Sequence, residues 1–332
     1  MKISVALCTY NGAHYLPAQL ASIACQIRLP DELVVCDDGS SDNTVVLLSA
    51  FSKTVPFPVN VIKNDLRLGT ARNFGKAISL CDGDIITLAD QDDVWHPNKL
   101  ACIYKVFCAS PEVGLVFSNG KLIDGLGAPL EQTLWQSANF SRLEKFAMQR
   151  GMAFDVELRR NVITGATVAF RAYWKQLVLP IPASGWVHDH WIALLIAAVS
   201  PVKFIDKALI EYRCHSTQQL GLTGKRSFAE LWRRTKALSD PDIYCRAAIN
   251  YVRIQQRIQH HKTKEHDYHN VLQKLDKKIV HLRLRGSLPT SRWSRLPIIW
   301  KELINLGYFR YSLGIPSSIM DFFAPPPSSR LP

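Results

Sequence analysis

Ile85-Ile86-Thr87-Leu88-Ala89-Asp90-Gln91-Asp92-Asp93-Val94-Trp95 is the stretch of the chain that decides the fold. Its apolar half predicts a buried strand, and carboxylates follow where that strand ends. Because side chains alternate along an extended backbone, we expect Asp90 and Asp92 to project the same way. Two neighbouring carboxylates repel each other and favour a hard divalent cation such as Mg²⁺ or Mn²⁺. The stretch therefore predicts a metal site at the carboxyl edge of a sheet.

A second stretch, Val34-Val35-Cys36-Asp37-Asp38-Gly39-Ser40, has the same build. Apolar runs predict further strands, and these alternate with segments of helical periodicity. The predicted strands are 3–7, 33–36, 59–62, 85–89 and 114–117, and the predicted helices are 16–25, 45–51, 70–80 and 97–107. Alternation at this spacing predicts an α/β fold with a mostly parallel, doubly wound sheet. Such sheets bind ligands beyond the carboxyl ends of their strands, so two acidic strand ends predict a nucleotide and metal site.

The charge of the chain is concentrated in its last third. The 332 residues have a net charge of +12, and residues 1–224 contain 20 basic and 20 acidic residues, so the whole excess lies in 225–332. Apolar residues at helical spacing predict either one long amphipathic helix or a helical hairpin over 228–282, which includes Trp232. A last amphipathic stripe contains Trp293 and Trp300. The basic excess indicates an anionic partner, whether a membrane surface, a nucleic acid or an acidic substrate. The alternative is a solvated helical pair that packs on the rest of the chain or dimerises.

The cysteines and the lengths of the apolar runs indicate the cellular compartment of the protein. The eight cysteines form no CxxC pair, which favours buried free thiols in a reducing cytosol. The first apolar run, 3–7, is too short for a signal peptide. The longest one, 191–199, is less than half the length of a spanning helix. We therefore expect a cytoplasmic protein whose basic extension makes it peripheral at the inner face of the cell membrane.

Four motifs in order resemble one family, the inverting glycosyltransferases of family 2 with the GT-A fold. They are Cys8-Thr9-Tyr10-Asn11, Asp37-Asp38-Gly39-Ser40-Ser41-Asp42, Leu68-Gly69 with Arg72-Asn73, and Asp90-Gln91-Asp92-Asp93-Val94-Trp95. The last motif is most similar to the bacterial rhamnosyltransferase-type branch, which builds surface polysaccharides. The resemblance covers about residues 1–220. It implies a nucleotide-sugar-binding half, 1–118, and an acceptor-binding half, 119–224, followed by the basic helical extension, 225–332.

The resemblance also implies roles for individual residues around the donor. Thr9, Tyr10 and Asn11 would line the nucleotide pocket. Asp38 would hydrogen-bond the uracil or thymine ring, and Arg72 would lie against the base or the diphosphate.

The same resemblance places the metal and the catalytic base. Asp90 would contact the ribose and the metal, Asp92 would ligate the metal, and His215 would be a further ligand. Asp189 would be the catalytic base, within Trp186-Val187-His188-Asp189-His190-Trp191. The family usually has an acidic pair here, and His188 replaces its first acid.

We therefore predict a metal-dependent inverting glycosyltransferase that uses Mn²⁺ or Mg²⁺ and a UDP- or dTDP-sugar, with rhamnose as one candidate sugar. Its acceptor would be a saccharide, and a lipid-linked one fits a tail that binds an anionic membrane rather than nucleic acid. Two rivals are a nucleotidyltransferase and a catalytically silent membrane scaffold with the same fold. The absence of GxGxxG after the first strand disfavours a dinucleotide oxidoreductase.

Overall fold

A computed structural model describes residues 1–215, 242–261 and 268–324 of the chain. Where described, the chain forms two compact units. The first comprises Met1–Ala153 and Val162–Leu222, and the second comprises Phe154–Asn161 and Thr223–Pro332. The predicted assignment of the donor and the acceptor to separate halves of the first 224 residues stays a prediction.

The first unit is built on a nine-stranded sheet. Its strands are β1 (Ile3–Thr9), β2 (Glu32–Asp37), β3 (Val59–Lys63), β4 (Ile85–Asp90), β5 (Val94–Trp95), β6 (Leu115–Ile123), β7 (Pro129–Thr133), β8 (Ala169–Arg171) and β9 (Val202–Arg213). They lie in the order β3-β2-β1-β4-β8-β6-β9-β5, and β7 pairs with β6.

The first four strands of the sheet are parallel, which brings their carboxyl ends to one edge. Thr9 of β1 lies opposite Asp37 of β2, and Cys8 of β1 lies opposite Asp90 of β4. Every residue of β1 is buried, as expected for a central strand covered on both faces. The two predicted acidic strand ends therefore flank β1 at a single edge.

The rest of the sheet is mixed. β8 runs antiparallel to β4 and β6, whereas β6 and β9 are parallel. The two-residue strand β5, just after the acidic motif, runs antiparallel to the end of β9. This pairing carries the end of β9 and the following His215 toward the acidic motif.

Helices of the first unit connect these strands. They are α1 (Leu16–Ala24), α2 (Thr44–Phe51), α3 (Thr70–Leu80), α4 (Lys99–Ala109), α5 (Leu134–Ser137), α6 (Arg142–Gln149), α8 (Lys175–Val178) and α9 (His188–Val199), while α7 (Ala153–Arg159) falls almost wholly in the second unit. Most of α9 is buried, because its sequence is apolar all round. The segment 119–160 contains the end of β6, β7 and α5 to α7.

The described part of the second unit is helical. Its helices are α7, α10 (Asp242–His260), α11 (His269–Gly286), α12 (Arg292–Ile304), α13 (Gly307–Tyr311) and α14 (Ile315–Phe323). α10 and α11 are separate helices that pack against each other. The predicted stripe around Trp232 lies outside the described residues. The predictions of an α/β fold and of a C-terminal helical extension are confirmed. None of the described helices has the length and apolar character needed to cross a bilayer.

Candidate active site at the carboxyl edge of the sheet

Asp37 joins the ends of β1 and β2. Its buried carboxylate accepts hydrogen bonds from Thr9 Oγ1 at 2.8 Å and from the amide and hydroxyl of Ser40 at 2.8 and 2.5 Å. Ser40 Oγ in turn accepts a hydrogen bond from the amide of Asn11, whose φ of 47° is left-handed. Asn11 Oδ1 accepts one from the amide of Ser41. The predicted pocket residues Thr9 and Asn11 therefore have side chains that hold the two loops together.

Asp38 fastens the loop before α3. One of its oxygens accepts from the amide of Leu68 at 2.7 Å and from Asn64 Nδ2 at 3.0 Å, and the other accepts from the amide of Gly69 at 2.9 Å. Gly69 has a φ of 79°, which a residue with a side chain rarely adopts. A carboxylate offers about four acceptor positions, so the contact with a pyrimidine ring that was predicted for Asp38 stays a prediction.

Tyr10 lies between two residues that the sequence analysis missed. Its amide donates to Gln91 Oε1 at 2.9 Å, and Gln91 Nε2 donates to its carbonyl at 3.1 Å. The guanidinium of Arg67 lies 3.8 Å from the centre of the Tyr10 ring. Arg67 lies between Leu66 and Leu68, after β3. No local pattern in the sequence indicates that it contacts Tyr10, which is 57 positions away. One face of the Tyr10 ring is therefore covered by the guanidinium of Arg67, a group that commonly binds phosphate and stacks on planar rings.

Carboxylates are crowded at the end of β4. Burial, then the charges of Asp92 and Asp189, raise the pKa of Asp90 to about 7. Asp93 is fully buried, and its pKa is raised well above the usual range by burial and by Asp92 and Asp90. Asp93 Oδ1 accepts from the amide of Arg213 at 3.1 Å. The negative charge of Asp189 thus acts on Asp90, one of the predicted metal ligands.

Lys99 is a buried cation beside this acidic group. Its ammonium donates to the carbonyl of Ala166 at 2.6 Å and lies 3.7 Å from the centre of the Trp95 ring. Burial lowers the pKa of Lys99 to about 7, while Asp93 and Asp90 act in the opposite direction. A lysine in the first turn of α4 was not recognised in the sequence, because exposed lysines are common at such positions.

Asp92 and His215, two of the three predicted metal ligands, are in direct contact. Asp92 Oδ2 lies 2.9 Å from His215 Nε2, and the His215 ring packs 4.7 Å from the ring of Tyr15. Arg213 Nε donates to the carbonyl of Asp92 at 2.8 Å. This hydrogen bond holds the backbone of Asp92 against the end of β9, two residues before His215.

These residues fit a divalent cation that shares its coordination with a ligand. Within the described residues, no group of three or more His, Cys, Asp or Glu side chains is preassembled for a metal ion. Asp92 and His215 offer one oxygen and one nitrogen donor, a set that Mn²⁺ accepts. Because Mg²⁺ and Mn²⁺ are commonly held by one or two protein ligands and phosphate oxygens, a diphosphate would complete the shell.

Asp189 lies in the first turn of α9, where the helix dipole favours a negative charge. Its Oδ2 accepts from the amide of Gly165 at 3.1 Å, and its Oδ1 accepts from the amide of His190 at 2.6 Å. The preceding His188 is buried, and its ring stacks on Phe74 at 4.0 Å. Burial lowers the pKa of His188, so it packs as a neutral ring.

Arg72 differs from the other predicted site residues in its contacts. It lies exposed on α3 and makes no hydrogen bond or ion pair within the described residues. The remaining predicted site residues lie at or just after the ends of β1, β2, β4 and β9, or in the first turn of α9. Their assigned roles stay predictions, since geometry alone does not identify a substrate.

The sequence model of the family described as Glycosyl transferase family 2 matches residues 4–160 of the chain. Residues 4–160 therefore match a family 2 glycosyltransferase domain. The matched segment contains the acidic ends of β2 and β4, so the predicted family is confirmed on the motifs that suggested it.

Relatives of the family 2 domain agree with this assignment. An uncharacterized glycosyltransferase of Nostoc sp. is 29% identical over 218 residues, which is 65% of each chain. The dTDP-rhamnosyl transferase RfbG of Shigella flexneri is 33% identical over 98 residues, 28% of this chain and 34% of that protein. A UDP-Glc:alpha-D-GlcNAc-diphosphoundecaprenol beta-1,3-glucosyltransferase of Escherichia coli is 34% identical over 98 residues, 30% and 38% of the two chains. The chain thus spans less than two thirds of the length of these relatives.

Solved structures confirm the GT-A fold around the family 2 domain. TarS residues 1–349 of S. aureus, solved with UDP-GlcNAc, superimposes with a TM-score of 0.58 at 15% identity, over 98% of this chain and 90% of that one. A mannosyltransferase of Pyrobaculum calidifontis, solved with GDP-Man and Mn²⁺, gives a TM-score of 0.55 at 19% identity, over 92% and 74% of the two chains. At these identities the likeness concerns the fold.

Proposed function

We propose that this protein is a metal-dependent inverting glycosyltransferase that moves a sugar from a nucleotide donor to a saccharide hydroxyl. One observation carries the proposal. The parallel strands bring Asp38, Asp90 and Asp92 to one edge of the sheet, and Asp189 is close enough to raise the pKa of Asp90. Donor-binding groups, metal-binding groups and a separate carboxylate are thus gathered where α/β sheets bind nucleotides.

The donor side of the proposed reaction uses the loops after β1, β2 and β4. Tyr10 supplies a ring against which a pyrimidine can stack, and Asp38 supplies an acceptor for a ring N–H. Asp92 and His215 would hold Mn²⁺ or Mg²⁺ together with the donor diphosphate. When bound, the ion would stabilise the negative charge that the diphosphate gains as it leaves.

Asp189 is proposed as the general base. Its two amide contacts fix the carboxylate, so one oxygen can accept the proton of an acceptor hydroxyl as that hydroxyl attacks the anomeric carbon. General base catalysis of this kind is worth roughly 10²–10⁴ in rate. Because the hydroxyl attacks opposite the leaving diphosphate, the anomeric configuration inverts.

The finer features of the proposal are the sugar, the acceptor and the pathway. The likeness to a dTDP-rhamnosyl transferase supports dTDP-rhamnose as a first donor to test, and UDP-sugars follow from the Escherichia coli relative. That relative acts on a diphosphoundecaprenol-linked sugar, which supports a lipid-linked saccharide acceptor and a place in surface polysaccharide synthesis. An anionic membrane surface would bring the protein to such an acceptor.

Thermal-shift and hydrolysis assays test the proposal together. The purified chain is mixed with a panel of UDP-, dTDP- and GDP-sugars, with Mn²⁺ or with EDTA. A true donor at about 100 times its Kd should stabilise the protein by roughly 2.7 kcal/mol, and slow release of nucleoside diphosphate should require the metal. Full activity in EDTA contradicts the metal requirement, and no stabilisation by any nucleotide sugar contradicts the proposed function.

A further inference from the structure

Two helices of the second unit expose most of their apolar residues and bury polar ones. In α12 the apolar residues Trp293, Leu296, Trp300 and Ile304 recur at helical spacing, yet they face outward. Trp293 is 76% exposed and Trp300 is 66% exposed, whereas Arg295 on the opposite side is 2% exposed. A helix of a water-soluble protein normally has the reverse arrangement.

α14 repeats the inversion. Ile315, Ile319 and Phe323 lie one above another on its exposed side. Its buried side is formed by Ser317, Ser318 and Asp321. We call the seven exposed apolar residues of the two helices, Trp293, Leu296, Trp300, Ile304, Ile315, Ile319 and Phe323, the apolar face.

A buried polar network fixes the helices in this orientation. The guanidinium of Arg285 donates to both oxygens of Asp321 at 2.7 and 2.8 Å, and Tyr308 Oη donates to Asp321 at 2.7 Å. Arg295 donates to the carbonyls of Asp321 at 2.9 Å and Ala324 at 2.7 Å. Rotating either helix to bury its apolar residues would break these charged hydrogen bonds inside the protein. The outward apolar face is therefore a fixed property of the fold.

A shallow groove and three exposed cations accompany the apolar face, and one of the cations, Arg292, lies 5.8 Å from the centre of the Phe323 ring. The groove, of about 530 Å³, lies between α12 and α14. Arg292, Lys301 and Arg310 are exposed on these helices and on α13 between them. The two carboxylates of residues 287–324 are both engaged, Glu302 with His281 at 2.6 Å and Asp321 with Arg285. Every exposed charge of this segment is thus positive.

We propose that the apolar face inserts into the interface of an anionic lipid bilayer, with α12 and α14 lying in the membrane plane. Tryptophan combines an apolar ring with a polar N–H and favours this boundary, and surface cations bind acidic headgroups. A protein partner would account for the exposed apolar residues, but the exposed charges of this segment, which are all positive, favour an acidic surface. The inference deepens the proposed function, on which it rests only for the lipid-linked acceptor, since membrane binding itself requires no donor.

Vesicle flotation of the full chain tests this inference. The probes are phosphatidylcholine vesicles with and without phosphatidylglycerol, at low and high salt, in the absence of any nucleotide sugar. We expect binding to the anionic vesicles that weakens with salt. Trp300→Gln with Ile319→Gln should weaken it at least about tenfold, because two apolar side chains leave the bilayer. Arg292→Gln, Lys301→Gln and Arg310→Gln should each cost about fivefold.

A matched control uses exposed apolar residues of the first unit. Leu143→Gln with Phe146→Gln removes side chains that are exposed on α6, and it should bind vesicles as the unchanged protein does. Each variant should keep its melting temperature, since the altered side chains are exposed. Equal loss in this control, or equal binding to neutral and anionic vesicles, overturns the inference. So does light scattering that shows a dimer which Trp300→Gln with Ile319→Gln dissociates, because the apolar face would then be covered by a second copy.

Discussion

Replacing Asp189 by Asn removes one negative charge from the start of α9 and leaves the size of the side chain unchanged. If Asp189 takes the proton of the acceptor, the turnover rate should fall by roughly 10²–10⁴, which corresponds to about 3–5 kcal/mol of transition-state stabilisation. Donor affinity should change little, because the base acts on the acceptor.

The effect of the same substitution on stability should be much smaller. Asn keeps one oxygen, which can accept from the amide of Gly165, but its NH2 group cannot accept from the amide of His190. The loss therefore combines the charge at the helix start, about 0.3–1 kcal/mol, with one hydrogen bond, about 0.5–1.5 kcal/mol. In a unit of this size the sum corresponds to roughly 2–10 °C in melting temperature. Relief of the repulsion between Asp189 and Asp90 acts in the opposite direction. A large rate loss with a small melting shift therefore separates catalysis from helix stabilisation.

Asp189→Asn should also change how metal binding depends on pH. A carboxylate must lose its proton before it can ligate a cation. With the pKa of Asp90 raised to about 7, Mn²⁺ affinity in the presence of UDP should rise as the pH passes through that value. Removing the charge of Asp189 lowers the pKa of Asp90, so in the variant the rise should occur at lower pH. Calorimetric titration of Mn²⁺ at several pH values measures this displacement.

The control is Asp206→Asn, which removes an exposed carboxylate of the same unit that pairs with Lys145 at 3.3 Å. It should leave the rate and the pH dependence of Mn²⁺ binding unchanged. If Asp189→Asn transfers sugar at the normal rate but melts earlier, Asp189 stabilises a helix and is not the base.

Further substitutions test the metal site, the donor loops and the second unit. Asp92→Asn should abolish stimulation by Mn²⁺, and His215→Ala should raise the Mn²⁺ concentration required by about tenfold, both measured by nucleoside diphosphate release. Asp38→Ala should weaken donor binding and lower stability by about 1–3 kcal/mol, because the amides before α3 lose their acceptor, which thermal shift with and without donor detects. The pKa of buried Lys278 is lowered to about 7 in the folded protein, below the unfolded value of 10.5, so stability should rise with pH between these values. Thermal melts should show a weaker rise for Lys278→Met, while exposed Lys277→Met should keep it.

The first half of the sheet could be predicted because its signals are local. Apolar runs end in acidic or glycine-containing turns, and α3 has the predicted bounds, Thr70–Leu80. The two-residue strand β5 is too short, and β7 is too polar, to show the alternation of apolar and polar residues that predicts a strand. Nothing local indicates that α7 belongs mostly to the second unit, since that depends on contacts with residues more than a hundred positions away.

The candidate site was predictable as a set of strand ends but not as a set of contacts. The two Asp motifs could be recognised because each follows an apolar run that predicts a buried strand. The hydrogen bonds between Gln91 and Tyr10, and the position of Arg67 over Tyr10, join residues that are 81 and 57 positions apart. The stripe containing Trp293 and Trp300 was recognised as amphipathic. A stripe does not reveal which side of the helix is packed, and the buried Arg285–Asp321 pair decided that here.

The pairing of Gln91 with Tyr10 matters for any attempt to change the donor preference by exchanging loops. Both the N–H and the C=O of Tyr10 are matched by one side-chain amide, and a side chain at Gly12 would collide with that amide. The conformations of segments 9–12 and 90–93 therefore depend on each other. A graft that replaces Gln91 but keeps residues 9–12 would leave the N–H and C=O of Tyr10 without this partner in the candidate site. Chimeras between relatives should therefore take both segments from the same parent.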